Sequence, residues 1–405
     1  MSKFSPVHLI YAFALITLSL CAIFPMEARQ LFYFTCGLAA LFWLFERKET
    51  SRCVCVLLML IVGYAAYRFF HTVIDANTLF PLSDSERVSI SIAQRFFMGA
   101  ILIGYLLTRR EQIEIKWLLA ALMVTILLIM IYVGYIGFVL EQNRGDRVQR
   151  ATVFAYEIMA IYLVYLGLWL EREERNGWLH YFMFGVICSV VLYIVVWTET
   201  RAALICFFLG SLLLFLLSRH VNTYLFLIVG MIVSMVIVSL FFSETIKPRF
   251  LEARQDIVQY RSGENKETSL GIRFELWRSA LMSFRQSPLL GSGYEKRSEI
   301  IEQAISEGKL DRSLSYYKTI NIHNEFLEEL SLRGLVGVAL LAGLYGYLLW
   351  LALRQNRNLP LLGLILSYLF FGLTDVLFCS REATILFLVL LALVLSQPTY
   401  SSKMP

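Results

Sequence analysis

From Trp117 to Leu140 the chain carries no charged residue, and Ala202–Ser218, Thr223–Phe242 and Gly334–Leu353 are further uncharged runs bounded by charge. Crossing the hydrocarbon core of a bilayer takes roughly 20 consecutive apolar residues as a helix. In lipid every backbone N–H and C=O must be satisfied within the spanning structure, which leaves only helices and closed barrels. Barrel strands alternate apolar and polar residues, and these runs do not alternate. The chain therefore reads as an all-α polytopic integral membrane protein. Composition agrees: of 405 residues, 58% are apolar and 17% charged, against about 25% charged in an ordinary soluble domain. A soluble globular enzyme, a disordered chain and a disulfide scaffold are excluded.

Eight further spans are expected near 7–25, 31–45, 53–73, 90–108, 153–170, 178–197, 359–380 and 383–397, for a total of about twelve. The organisation is then 1–242 with spans one to nine, 243–333 as one large loop, and 334–405 with spans ten to twelve and a short tail. Val7–Phe24 lacks a small-residue cleavage site and reads as a retained span, not a removed signal peptide. All seven cysteines lie in or beside apolar runs without a CxxC pair, which suits packing better than a disulfide or metal framework.

An even number of spans puts both termini on one side. With that side cytoplasmic, the short inner segments hold thirteen basic residues and the short outer ones nine, the direction that topology rules favour. All nine outer ones are arginine: Arg29, Arg68, Arg87, Arg95, Arg144, Arg147, Arg150, Arg201 and Arg381. The planar guanidinium fork suits phosphate, so this excess points to an anionic ligand on the outer face. The net charge of +5 has no basic run of the kind that binds nucleic acid. Glu157 and Asp375 are carboxylates within expected spans, costly there unless partnered. Asp375 is placed to meet Arg381 or an active-site arginine, or to serve structure alone.

The loop Ser243–Arg333 contains fourteen basic and fourteen acidic residues. Ser269–Ser287 reads as a helix with Ile272, Leu276, Trp277, Ala280, Leu281 and Phe284 along one stripe. Pro288 and Gly291-Ser292-Gly293 stop it. A second helix is expected over Ser298–Glu307. A third is capped by Asn324 and runs to Gly334.

Histidine is scarce. No pair has metal-ligand spacing, and no DxD-type carboxylate pair stands in a loop, so a metal-dependent reaction is disfavoured. His8, His180 and His220 fall near inner span ends, and His71 at an outer one. His323 differs, because Asn321-Ile322-His323-Asn324-Glu325 precedes a helix on the outer face. A neutral imidazole there can take a proton from a hydroxyl, or it can make structural hydrogen bonds.

From His323 the sequence reads His-Asn, nine residues, Gly334, two residues, Gly337. This resembles the His-[Asn/Ser/Gln]-x9-Gly-x-x-Gly signature of bacterial O-antigen ligases (lipopolysaccharide O-polysaccharide ligases) of the O-antigen ligase/polymerase superfamily. Thr198-Glu199-Thr200-Arg201-Ala202-Ala203 resembles a second segment of that superfamily. Arg273, Trp277 and Pro288-x2-Gly291-x-Gly293 resemble a third. The three occur in family order within a similar layout of spans.

The resemblance implies a GT-C-like glycosyltransferase of the inner (cytoplasmic) membrane, metal-independent, inverting and without a cofactor. Its donor is O-polysaccharide on undecaprenyl diphosphate, its acceptor is lipid A–core, and its active site faces the periplasm. It carries catalytic roles onto His323, Arg201 and Arg273. The residue reading runs beside it: a departing diphosphate gains negative charge, and without a metal arginines must stabilise it. Arg201 follows Thr198 and Thr200, whose hydroxyls are placed to orient it; an interfacial snorkelling arginine would look the same. Arg273 otherwise suits a helix-surface pair with Glu275. Arg144, Arg147 and Arg150 suit donor phosphates or acidic core, or a loop paired with Glu141 and Asp146. Trp277 fits packing better than sugar stacking, while Asn324, Gly334 and Gly337 support the motif, the glycines by allowing close packing. An O-antigen or exopolysaccharide polymerase with the same donor is the alternative. A non-enzymatic lipid-linked glycan flippase is disfavoured, because no internal repeat or pair of broken spans is visible.

Overall fold

The computed structural model describes residues 5–45, 50–75, 82–109, 114–139, 151–171, 178–218, 243–317, 321–354 and 357–397. Among them there are fourteen α-helices and no strand. The first eight are α1 (Pro6–Cys21), α2 (Pro25–Phe45), α3 (Arg52–Asp75), α4 (Asp84–Leu107), α5 (Ile115–Gly134), α6 (Ala151–Glu171), α7 (Trp178–Trp197) and α8 (Arg201–Leu217). The loop contributes α9 (Ser243–Ser262), α10 (Ser269–Gln286) and α11 (Gly293–Ser306). The chain ends with α12 (Glu325–Arg354), α13 (Leu359–Gly372) and α14 (Arg381–Leu395). The expected ninth span, 223–242, lies outside the described residues.

Six of these helices, in α2 to α6 and α12, are long and apolar enough to cross a membrane. Helix α6 is the axis of the bundle, buried at every residue from Phe154 to Leu170, as a helix apolar on all sides must be. It packs against α13 and α8. Gly363 permits the close crossing with α13, since a Cβ there would come within 2.4 Å of the Leu163 carbonyl oxygen. The peripheral helices instead turn Met59, Phe70, Ile74 and Ile131 outward. In water such a surface would be a liability, but against lipid it is ordinary solvent contact. Cys21, Cys36 and Cys206 are buried in this core, in keeping with a packing role.

Four differences from the sequence expectation matter for function. Arg68 and Arg95, counted above among outer-segment arginines, lie inside α3 and α4 and are buried. Helix α9 was not expected, because Ser243–Ser262 carries no clean apolar stripe. Helix α11 starts at Gly293, five residues before the expected start, so the Gly291-Ser292-Gly293 break is short. Finally, the span expected to reach residue 380 ends as a helix at Gly372. The Thr374 and Asp375 N–H groups fold back onto the Phe371 carbonyl, and the Val376 N–H turns to the Asp375 carboxylate. Phe378 then plugs a cluster of rings, 5.0 Å from Phe96 and 5.3 Å from Phe387.

The loop helices build a small core of their own from Leu276, Ala280, Ile301, Ala304, Leu310, Leu314 and Ile322. Leu281, expected on the buried stripe, is 42% exposed. The loop joins the spans through two glycines. Helix α12 bends at Gly334, with φ 61° and ψ −158°, a backbone region open almost only to glycine. The bend hands the Leu335 and Val336 N–H groups to the carbonyls of Pro288 and Leu289. Gly291, at φ 80°, approaches from the other side, where a Cβ would lie 2.3 Å from the Arg333 nitrogen. The Pro288–Gly293 block and the Gly334 motif thus form one interlock. Alanine at Gly334 should cost about 1–3 kcal/mol for backbone strain, and its Cβ would also press to 2.4 Å from the Leu289 carbonyl oxygen. A lower unfolding midpoint in detergent, with the protein still inserted, is the expected result.

Candidate functional site

His323 is held in a left-handed conformation, φ 54°, where histidine is found several-fold more often than most residues. Its neighbours fix it there. The Ile322 N–H donates to Glu328 Oε2 at 2.8 Å, and the Trp277 indole N–H donates to the Ile322 carbonyl at 3.1 Å. Trp277 is thus a packing and positioning residue of the loop core. The Asn324 side chain caps α12, its Oδ1 accepting from the Phe326 and Leu327 N–H groups. Its Nδ2 donates to the Leu373 carbonyl at 3.1 Å, and Glu325 accepts from the Phe378 N–H at 3.0 Å. Residues 323–325 are therefore stitched to the break after α13.

That stitching brings Asp375 to His323, with Nδ1 to Oδ1 at 3.2 Å. The other carboxylate oxygen accepts from the Tyr156 hydroxyl of α6 at 3.1 Å. Burial pushes the Asp375 carboxyl upward, but the His323 hydrogen bond and charge, the Val376 N–H and the nearby Arg273 charge outweigh it. The result lies below the ordinary carboxylate value. An ionised Asp375 can only accept, so the His323 Nδ1 carries a proton toward it, and in the neutral form of the ring Nε2 then presents its lone pair. Asp375 thus pairs with the histidine, not with Arg381.

Arg273 projects from the first turns of α10, and its charge acts on both Asp375 and Tyr156. It forms no ion pair among the described residues. Glu275, the partner offered by the sequence, is engaged elsewhere. It accepts from the Tyr260 hydroxyl at 2.7 Å, from Arg278 at 2.7 Å and from the Asp311 N–H at 3.0 Å. Burial raises the Glu275 carboxyl, and these three donors more than reverse that, leaving it below its usual value.

Arg201 is the first residue of α8 and follows Glu199, another left-handed residue at φ 51°. It pairs with Glu252 of α9 at 3.2 Å and shares no hydrogen bond or ion pair with His323, Arg273 or Asp375. The hydroxyls of Thr198 and Thr200 bond to the carbonyls of Val195 and Thr198, not to Arg201. Arg144, Arg147 and Arg150 lie outside the described residues. Asp375 and Tyr156 also line a cavity of about 540 Å³, which extends past Asn321 to Ser380 and Arg381.

A family model described as O-antigen ligase matches residues 184–342, which include Arg201, Arg273 and His323. An O-antigen ligase of Escherichia coli K12 is 29% identical over 312 residues, 76% of this chain and 72% of that protein. Over these stretches the chain is similar to O-antigen ligases. An uncharacterized protein of Haemophilus influenzae is 30% identical over 129 residues, 31% of this chain and 32% of its own length.

Sequence reasoning missed a buried charge network beside the motif. Arg68 of α3 and Arg333 of α12 both contact Glu329 Oε1, at 3.2 and 2.7 Å, and all three side chains are 1% exposed. Tyr64 donates to the same oxygen at 2.9 Å, while Arg333 reaches Ser89 of α4 at 2.8 Å. Glu328 pairs with Arg297 at 3.1 Å. The visible signal was Glu329 and Arg333 one turn apart, in a segment that also holds the Gly334 motif. Gly337 serves this pair: a Cβ there would come within 2.5 Å of the Arg333 Cβ and 3.1 Å of Glu329 Oε2. His71 of α3 binds the Leu290 carbonyl at 2.7 Å and so joins the interlock, not the His323 site.

Proposed function

We propose that the chain is an O-antigen ligase, transferring O-polysaccharide from undecaprenyl diphosphate to a sugar hydroxyl of lipid A–core. The observation that carries this reading is the His323–Asp375 pair, with the Arg273 charge beside it and family similarity across the segment that supplies both His323 and Arg273. In this mechanism the acceptor hydroxyl gives its proton to His323 Nε2, and its oxygen bonds to the anomeric carbon of the donor. The bond from that carbon to the diphosphate breaks on the opposite face, so configuration inverts. Arg273 and Arg201 receive the charge that gathers on the departing undecaprenyl diphosphate, and Arg147 and Arg150 are further candidates to contact it.

The reaction is proposed to run without a metal or cofactor. Transfer in isolated membranes should therefore persist in EDTA; loss that added metal restores would overturn this part. The proposal includes a GT-C-like arrangement of about twelve spans in the bacterial inner membrane, with the site periplasmic and both termini cytoplasmic. Reporter fusions at each connection test that topology.

The lipopolysaccharide ladder of a deletion strain tests the function. Core without O-antigen, with polymer accumulating on the lipid carrier, is the expected result. Core bearing a single repeat unit would instead identify a polymerase, and lipid-linked units retained on the cytoplasmic side a flippase.

A further inference from the structure

We propose that the cavity running from Asp375 to Arg381 is the acceptor subsite, and that it holds a neutral sugar ring through Arg381 and Glu382. The proposal rests on the ligase reading for the identity of the acceptor, and on the cavity itself for the chemistry. At about 540 Å³ the cavity falls in the range of roughly 300–1,000 Å³ typical of small-ligand sites. The first residues of α2, α4 and α14 meet at its rim, with Tyr156 and Asp375 at its other end.

Arg381 is the residue that the fold leaves unexplained. It is the first residue of α14, where the helix dipole disfavours a cation, so its charge does nothing for the helix. Its Nε is enclosed without a hydrogen-bond partner, and it forms no ion pair among the described residues. By contrast, Ser380 caps the helix and also donates to Glu382 Oε2 at 3.3 Å, which orients that carboxylate. Arg95, close behind, is turned away toward the Ser91 carbonyl.

The balance of charge selects the ligand. The lining carries the carboxylates of Asp84, Asp375 and Glu382 against the single guanidinium of Arg381. This mixture suits a polyhydroxylated ring, which donates to carboxylates and accepts from a guanidinium, better than a diphosphate. Donor phosphate is left to the Arg273 side of Asp375. Asp375 belongs both to the cavity wall and to the His323 pair, so one side chain joins the cavity to the imidazole.

The test uses full-length protein in detergent, with lipid-linked donor and lipid A–core as substrates, and deacylated core oligosaccharide as the binding probe. Arg381→Gln and Glu382→Gln should each raise the acceptor KM about tenfold or more, as losing a charged hydrogen bond does, with donor KM and kcat unchanged. Arg381→Lys, which keeps the charge and loses the fork, should fall between. The same variants should weaken oligosaccharide binding in proportion. A rise in donor KM alone, unchanged acceptor KM, or wild-type protein that binds no oligosaccharide would each overturn the subsite. Wild-type protein that binds the core oligosaccharide through Arg381 but transfers nothing to lipid A–core would overturn the ligase reading and leave the subsite standing.

Discussion

His323→Asn should lower transfer about 10²–10⁴-fold, the usual contribution of a positioned general base, with the protein inserted and folded as before. Asparagine is the informative replacement because it tolerates the left-handed backbone that His323 occupies. Alanine would mix loss of the imidazole with strain at φ 54°. Asp375→Asn should also reduce transfer. Its amide can donate to Nδ1, which moves the imidazole proton to Nε2 and removes the base. In cells both variants should reproduce the deletion ladder at normal protein levels. A normal ladder from His323→Asn would sink the catalytic role. A normal ladder from Asp375→Asn alone would reduce Asp375 to a structural tie, while leaving the base in place.

The membrane character of the chain was legible because lipid imposes one rule on every residue of a span. The uncharged runs at 117–140, 202–218 and 334–353 coincide closely with helices. Helix ends were less legible wherever tertiary contacts decide them. Gly372 ends α13 because Asp375 and Glu325 take over backbone donors from the next turn, and nothing local in Leu373-Thr374 announces it. At the site, His323, Asn324 and Gly334 stand in one stretch of sequence and were found together. Asp375 was singled out as an intramembrane carboxylate, but its partner lies 52 residues away, a pairing that no periodicity encodes. The roles of Gly291 and Gly334 were half visible. Each suggested a break, but only their mutual backbone approach explains why both motifs are needed. Arg68 misled because a charge at an outer span end resembles an interfacial residue until its carboxylate, from a helix distant in sequence, is seen.

Glu329→Ala should be the most destabilising single change near the site. Arg68 and Arg333 both lean on Glu329 Oε1, and neither reaches water. Removing one partner of a buried ion pair costs about 3–5 kcal/mol, because the remaining charge is stranded, and here two guanidinium groups would be stranded at once. Against a total stability of roughly 5–15 kcal/mol, a sharp fall in detergent-extracted yield and unfolding midpoint is expected. Replacing Arg68, Glu329 and Arg333 together by methionine should recover part of the loss, since a buried ion cluster is often no more stable than apolar side chains of similar volume. Wild-type yield and midpoint from Glu329→Ala would show that the network carries no such weight. The triple variant then separates stability from function. Arg333 immediately precedes the Gly334 bend, and it reaches Ser89 on α4 and the Tyr294 hydroxyl, 3.4 Å away, whose ring lines the cavity. A folded triple variant with reduced transfer would mean that the charges also set where the His323 helix stands against α3 and α4.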